Sequence, residues 1–272
     1  MFVDSHHHFW STGRDDYGWL TPANTDLWHD ALPPDLHPVL QRHGVTDTIV
    51  VQAAPSVTET DYLLGIADAT PWVRGVVGWV DFSDPTHLAH ITRWSKHPKF
   101  CGVRPMLQDI ADPDWILAPA LAPTFQSLIA LDLVFEFLGT PRHLDTALTL
   151  FRRYPQLRSV IDHGMKPDIA RNAFDPWGTQ MGELATLPHV HCKLSGLVTE
   201  ARTGWTLLDL KPYVDHIVSA FGAERVMWGS DWPVVNCNGG YDAWRAVTLA
   251  LVGAHSGAQY ILGNTARRFY RF

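Results

Sequence analysis

Short apolar segments rich in β-branched residues recur along the chain, separated by stretches of helical character. Eight of them predict strands, at 2–7, 47–53, 73–82, 100–106, 133–138, 157–163, 189–196 and 225–231. Between them the pattern predicts helices over 58–69, 85–95, 141–154, 212–221 and 239–251. Strands that alternate with helices, and are apolar enough to be covered on both faces, pair in parallel. Eight such units fit a closed (β/α)8 TIM barrel, an α/β fold, as one domain over residues 1–272. A doubly wound open sheet is the alternative, but no glycine-rich phosphate loop follows the first strand. The connection 10–44, rich in Trp, Pro and Asp, is expected as a long loop over the barrel mouth.

On a barrel, reacting groups come from the C-terminal ends of strands. His6 and His8 end the first segment, Gln52 the second, Arg104 the fourth, Glu136 the fifth, His163 the sixth and Asp231 the eighth. Lys193 and Ser195 lie towards the end of the seventh. Polar and ionisable groups therefore gather at one rim. In an extended strand His6 and His8 share one face with Cα atoms about 6.6 Å apart, while His7 takes the other face. Two imidazoles so spaced converge on one metal ion or one polarised oxygen. Three histidines alone are too few, and too firmly followed by Phe9 and Trp10, to read as a purification tag.

Composition narrows the class. The net charge of −7 offers no basic surface for nucleic acid or anionic membrane. Cys101, Cys192 and Cys237 are odd in number and lack paired spacing, so neither a disulfide framework nor a zinc ribbon is expected. With neither a secretory leader nor a bilayer-length apolar run, a soluble cytoplasmic protein is expected. Fifteen histidines and twelve tryptophans favour a site for something polar with flat faces.

The rim suggests hydrolysis of an ester or amide, which needs an activated water and a polarised carbonyl. Asp231 is the natural base. His6, His8 and His163 either bind one divalent ion with Asp231 or donate hydrogen bonds to the carbonyl oxygen. Arg104 and Arg142 are candidate grips for a carboxylate or hydroxyls, and a salt bridge from Arg104 to Glu136 competes with that role. Lys193 either orients substrate or pairs with Glu136. Gln52 is a further substrate contact, and Trp10, Trp28 and Trp232 are candidates to stack on a sugar face. The His189 and His191 pair falls early in its strand, near the barrel floor, and reads as structural.

Asp4-Ser5-His6-His7-His8-Phe9-Trp10 resembles the opening of the amidohydrolase-2 family in the amidohydrolase superfamily. The likeness continues through Gly102-Val103-Arg104 with Gln108-Asp109, Pro141-Arg142-His143-Leu144 and Asp162-His163-Gly164-Met165-Lys166-Pro167. It runs on through Cys192-Lys193-Leu194-Ser195-Gly196-Leu197, Gly229-Ser230-Asp231-Trp232-Pro233 and Gly263-Asn264-Thr265-Ala266. The branch most resembled is that of sugar lactonases, of the L-fuconolactonase or L-rhamnonolactonase kind. That resemblance implies a barrel in which Asp231 is the general base and His6, His8 and His163 line the site. It leaves one divalent ion such as zinc and metal-free catalysis as equal readings, and a binuclear centre is not expected. The implied partner is a small-molecule lactone, and a homodimer is compatible with the chain. Alternatives are a lactonase for a carboxylated pyrone or muconolactone, a metal-dependent decarboxylase of the same superfamily, and a non-catalytic binding barrel.

Overall fold

The computed structural model describes residues 2–272. Its strands are β1 (Phe2–His7), β2 (Val45–Val51), β3 (Val73–Gly78), β4 (Phe100–Val103), β5 (Val134–Phe137), β6 (Arg158–Ile161), β7 (Val190–Leu194) and β8 (Val226–Trp228). They pair in parallel in sequence order. β8 returns to β1 just beyond its last residue: His7 and Trp232 form a parallel bridge, the Asp231 N–H donates to the His6 carbonyl at 2.8 Å, and the His8 N–H to the Trp232 carbonyl at 2.7 Å. The sheet is thus the expected (β/α)8 barrel.

Helices α1 (Pro33–Arg42), α2 (Val57–Ala69), α3 (His87–Trp94), α4 (Ala122–Ala130), α5 (Leu144–Arg153), α6 (Trp177–Ala185), α7 (Leu207–Phe221), α8 (Gly240–Val252) and α9 (Thr265–Tyr270) complete the fold. α1 lies within the stretch expected as a loop, and Trp10 bridges Ala31 across the same stretch. α7 starts five residues before the expected Pro212, because Thr206 and Asp209 form a capping box at its N-terminus.

Two apolar layers flank the strands. The outer one joins strands to helices through residues such as Val50, Val76, Phe135 and Ile161. The inner one fills the floor with Val3, Ile49, Val51, Val77, Val134, Val160 and Met227, sealed by Phe269 and Tyr270 of α9. In β5 and β6 simple alternation then turns Glu136 and Asp162 inward, two residues beyond Val134 and Val160. β1 breaks that rule. Its register shifts between Asp4 and His7, so Val3 joins the floor while His6, three residues later, also serves the interior.

The seam between β8 and β1 is tightly packed. A Cβ placed on Gly229 would stand 2.7 Å from the His6 Cβ. Gly229→Ala should therefore cost about 1–3 kcal/mol, as overpacking does. Urea unfolding measures it, and a cost below about 0.5 kcal/mol, the range of an unremarkable surface change, would contradict a packed seam.

Candidate active site

A cavity of about 230 Å³ opens where the strands end, lined by His8, Arg104, His163 and Asp231 from the rim. The loops add Trp19, Gln108 and Lys166, with an apolar side of Met106, Leu138 and Val234. Three imidazoles face one carboxylate oxygen. Asp231 Oδ1 is 3.2 Å from His8 Nε2, 3.8 Å from His6 Nε2 and 3.9 Å from His163 Nε2. His163 and Asp231 both hold left-handed backbone, with φ of 53° and 61°, a costly conformation for residues other than glycine that concentrates at functional sites.

The far nitrogen of each ring is also held. His8 Nδ1 contacts the Val51 carbonyl at 2.8 Å, and His163 Nδ1 the Ser195 hydroxyl at 2.9 Å. His6 Nδ1 lies 3.0 Å from Lys193 Nζ and 3.4 Å from Asp162 Oδ1. On the other side Arg104 Nη1 stands 3.3 Å from His6 Nε2. A guanidinium and an ammonium only donate, so His6 has a cationic donor against each ring nitrogen while a neutral imidazole accepts at one of them, with Asp162 beside Nδ1 as the acceptor. For His8 both partners are acceptors, so its contact with Asp231 needs a proton between ring and carboxylate.

Charge beneath the rim is balanced internally. Lys193 is fully buried and lies 2.6 Å from Glu136 and 3.3 Å from Asp162, and the Tyr270 hydroxyl donates to the other Glu136 oxygen. Burial pushes Glu136 up to about 7 against the pull of Lys193. Asp162 is held well below the usual carboxylate range: burial opposes this, but Lys193, His6 and Arg104 outweigh it. Burial and the Lys193 charge push the His6 imidazole far down. Burial lowers His163 to about 4 even though Asp231 pulls it up. For Asp231 burial is outweighed by His163, the His8 hydrogen bond and His6, so its carboxyl stays well below the usual range. At neutral pH the pocket presents an ionised carboxylate and a neutral His163.

Among the described residues, two groups offer donor atoms within 4.8 Å of one another: His6, His163 and Asp231, and His6, Glu136 and Asp162. The second group already encloses a cation, the Lys193 ammonium, at 2.6–3.3 Å from all three side chains. The first has two imidazoles whose other nitrogens are anchored, with one carboxylate, which is the donor set a single zinc-like ion takes. The residues fit one metal and not two.

Several expected contacts lie elsewhere. Arg142 does not line the cavity: it donates to the carbonyls of Gln108, Ile110 and Ala111 at 2.6–3.2 Å and so anchors the loop carrying Gln108. Gln52 is buried and grips Arg104, accepting from Nη2 at 2.9 Å and donating to its carbonyl at 3.0 Å. Arg104 pairs with Asp162 at 3.4 Å, not with Glu136. Trp10 is fully buried and backs His8 from 6.5 Å, Trp232 packs edge-on against Phe9, and Trp28 stands half-exposed. None of the three lines the cavity, whose tryptophan is Trp19. His7 turns to Thr48 at 2.8 Å, away from the site.

An amidohydrolase family model matches residues 3–272. The chain belongs to the amidohydrolase family. Within the family it is 45% identical to an L-fucono-1,5-lactonase of Burkholderia ambifaria, covering 99% of this chain and 95% of that one. It is 37% identical to an L-fucono-1,5-lactonase of Burkholderia multivorans, covering 98% and 95%. A crystal structure of a Burkholderia multivorans amidohydrolase with bound zinc superposes with a TM-score of 0.94 at 33% identity, covering 100% of this chain and 99% of that one.

The low His163 value has a measurable consequence for this amidohydrolase. Between about pH 6.5 and pH 4 an unfolded chain binds a proton on this ring that the folded protein does not, so folded stability falls as the pH falls. Denaturant titrations of chelator-treated protein should show the wild type losing about 2–3 kcal/mol more than His163→Gln across that window. Equal slopes would contradict a buried neutral His163.

Proposed function

We propose that this amidohydrolase is a lactonase that opens a sugar-derived aldonolactone by attack of water on the lactone carbonyl. The observation that carries the reading is the convergence of His6, His8 and His163 on one Asp231 oxygen, within 3.9 Å, at the wall of a monosaccharide-sized cavity. The 45% identity to an L-fucono-1,5-lactonase supports a lactone of that kind.

Asp231 takes the water's proton. Its proton affinity in the free site is low, which suits a late transfer: as water bonds to the carbonyl carbon its protons become acidic, and a weak base then suffices. His8, 3.2 Å from Asp231, relays that proton to the departing ring oxygen. Arg104 and Lys166 supply positive charge to the developing oxyanion and the carboxylate product. Lys166 is steadied by Gln108 at 2.7 Å. Trp19, Met106, Leu138 and Val234 give an apolar side for the C–H face of the sugar ring. His6, His163 and Asp231 would hold a divalent ion, which when bound supplies Lewis acidity to the carbonyl and acidifies water.

Proton release from L-fucono-1,5-lactone, followed with a pH indicator with and without chelator, tests the reading. Asp231→Asn should lower kcat about 10²- to 10⁴-fold, the range of a positioned general base. A variant as fast as the wild type would remove Asp231 from the chemistry, and no turnover of any aldonolactone by the wild type would remove the substrate class.

A further inference from the structure

A second cavity, of about 450 Å³, opens at the opposite end of the barrel. Its walls come from strand beginnings and from α9: Arg158 starts β6, His189 and His191 flank the start of β7, Arg225 precedes β8, and Arg268 and Arg271 come from α9 and its end. The charge is lopsided. Of these four guanidinium groups, Arg268 has a carboxylate 3.3 Å away in Glu224, and Arg271 pairs with Asp132, which also stands 3.6 Å from Arg158. Arg225 has no carboxylate partner among the described residues: it donates to the backbone carbonyls of Ala185, Leu187 and Val190 at 2.9–3.2 Å and lies over the Phe221 ring at 5.5 Å. Four cations thus face two carboxylates in a chain whose net charge is −7.

A second observation is independent of that charge. His189 Nε2 and His191 Nδ1 are buried ring nitrogens with no hydrogen-bond partner among the described residues, and both rings line this cavity. Buried polar atoms ordinarily have partners, so these two wall imidazoles keep hydrogen-bonding capacity that the described residues do not use. Guanidinium forks and imidazole N–H groups together match an oxyanion: the forks bind oxygen pairs and the ring donors add directional bonds.

We propose that the floor cavity binds a multiply charged oxyanion, a phosphate or a dicarboxylate, at a site separate from the reacting centre. Arg268 and Arg271 form its outer lip, with side chains 54% and 60% exposed. Arg225 and Arg158 form its fixed back wall. The cavity is roughly twice the volume of the one at the mouth, so the occupant can exceed inorganic phosphate in size.

Thermal unfolding of the full chain tests this, with inorganic phosphate in one arm, succinate in a second and chloride at matched ionic strength in a third. The midpoint should rise saturably with phosphate, succinate or both and not with chloride, and the probe that saturates identifies the oxyanion. The double variant Arg268→Gln/Arg271→Gln should weaken the apparent affinity at least tenfold while lactone turnover stays unchanged. Because both side chains are exposed, folding of the variant does not depend on them. Identical titrations of wild type and double variant, or a chloride response equal to both probes, would overturn the proposal.

Discussion

The barrel closes through the same residues that converge on the candidate site. β8 meets β1 where the Asp231 N–H reaches the His6 carbonyl and the His8 N–H reaches the Trp232 carbonyl. Neighbouring strands are held about 4.8 Å apart, so main-chain pairing fixes the backbone from which the Asp231 carboxylate and both rings project, and the contacts at the far ring nitrogens fix the rings. Asp4 reinforces the joint: one carboxylate oxygen accepts from the Ser230 N–H at 2.8 Å and from the His6 N–H at 3.3 Å. Ser5 ties in the Trp228 carbonyl at 2.7 Å and the Trp244 indole ties in that of Gly229 at 2.9 Å. Preorganisation of this kind is what electrostatic catalysis requires, because the groups do not have to reorganise during the reaction.

Below the rim the structure solves a second problem, the burial of several charges. Lys193 and Arg104 are cations inside the barrel, and Glu136, Asp162 and Asp231 surround them. Such charges persist in a low-dielectric interior only when paired and hydrogen-bonded. The pairing also has a chemical result. With the Lys193 ammonium seated between His6, Glu136 and Asp162, the described residues leave one donor group for a metal ion at the pocket wall, His6, His163 and Asp231.

Much of this was legible in the chain because barrel strands are apolar on both faces and end in polar residues. His6, His8, Arg104, His163 and Asp231 could be picked out as strand-terminal residues, and all five meet at the rim. Strand ends were read too long, at 225–231 against Val226–Trp228, because beyond Gly229, whose N–H still reaches the Leu194 carbonyl of β7, Ser230 and Asp231 turn to the joint with β1. α1 and α4 carry Pro33, Pro34 and Pro123 in their first turn, where proline favours a helix start although it resembles a loop signal. Trp19, Gln108 and Lys166 lie on loops, where no periodicity marks which side chains turn inward. Asp162 was hidden in plain sight beside His163: only the packed structure reveals that it, and not Glu136, receives Arg104.

The central claim is that a carboxylate held at the seam takes the proton as water opens the lactone. Chemical rescue addresses it most directly: Asp231→Gly removes the carboxylate and leaves a gap that formate can enter. The account predicts a variant with negligible turnover of L-fucono-1,5-lactone whose rate climbs saturably with added formate and not with chloride at equal ionic strength. A glycine variant that keeps the wild-type rate, or one that responds alike to formate and chloride, would contradict it.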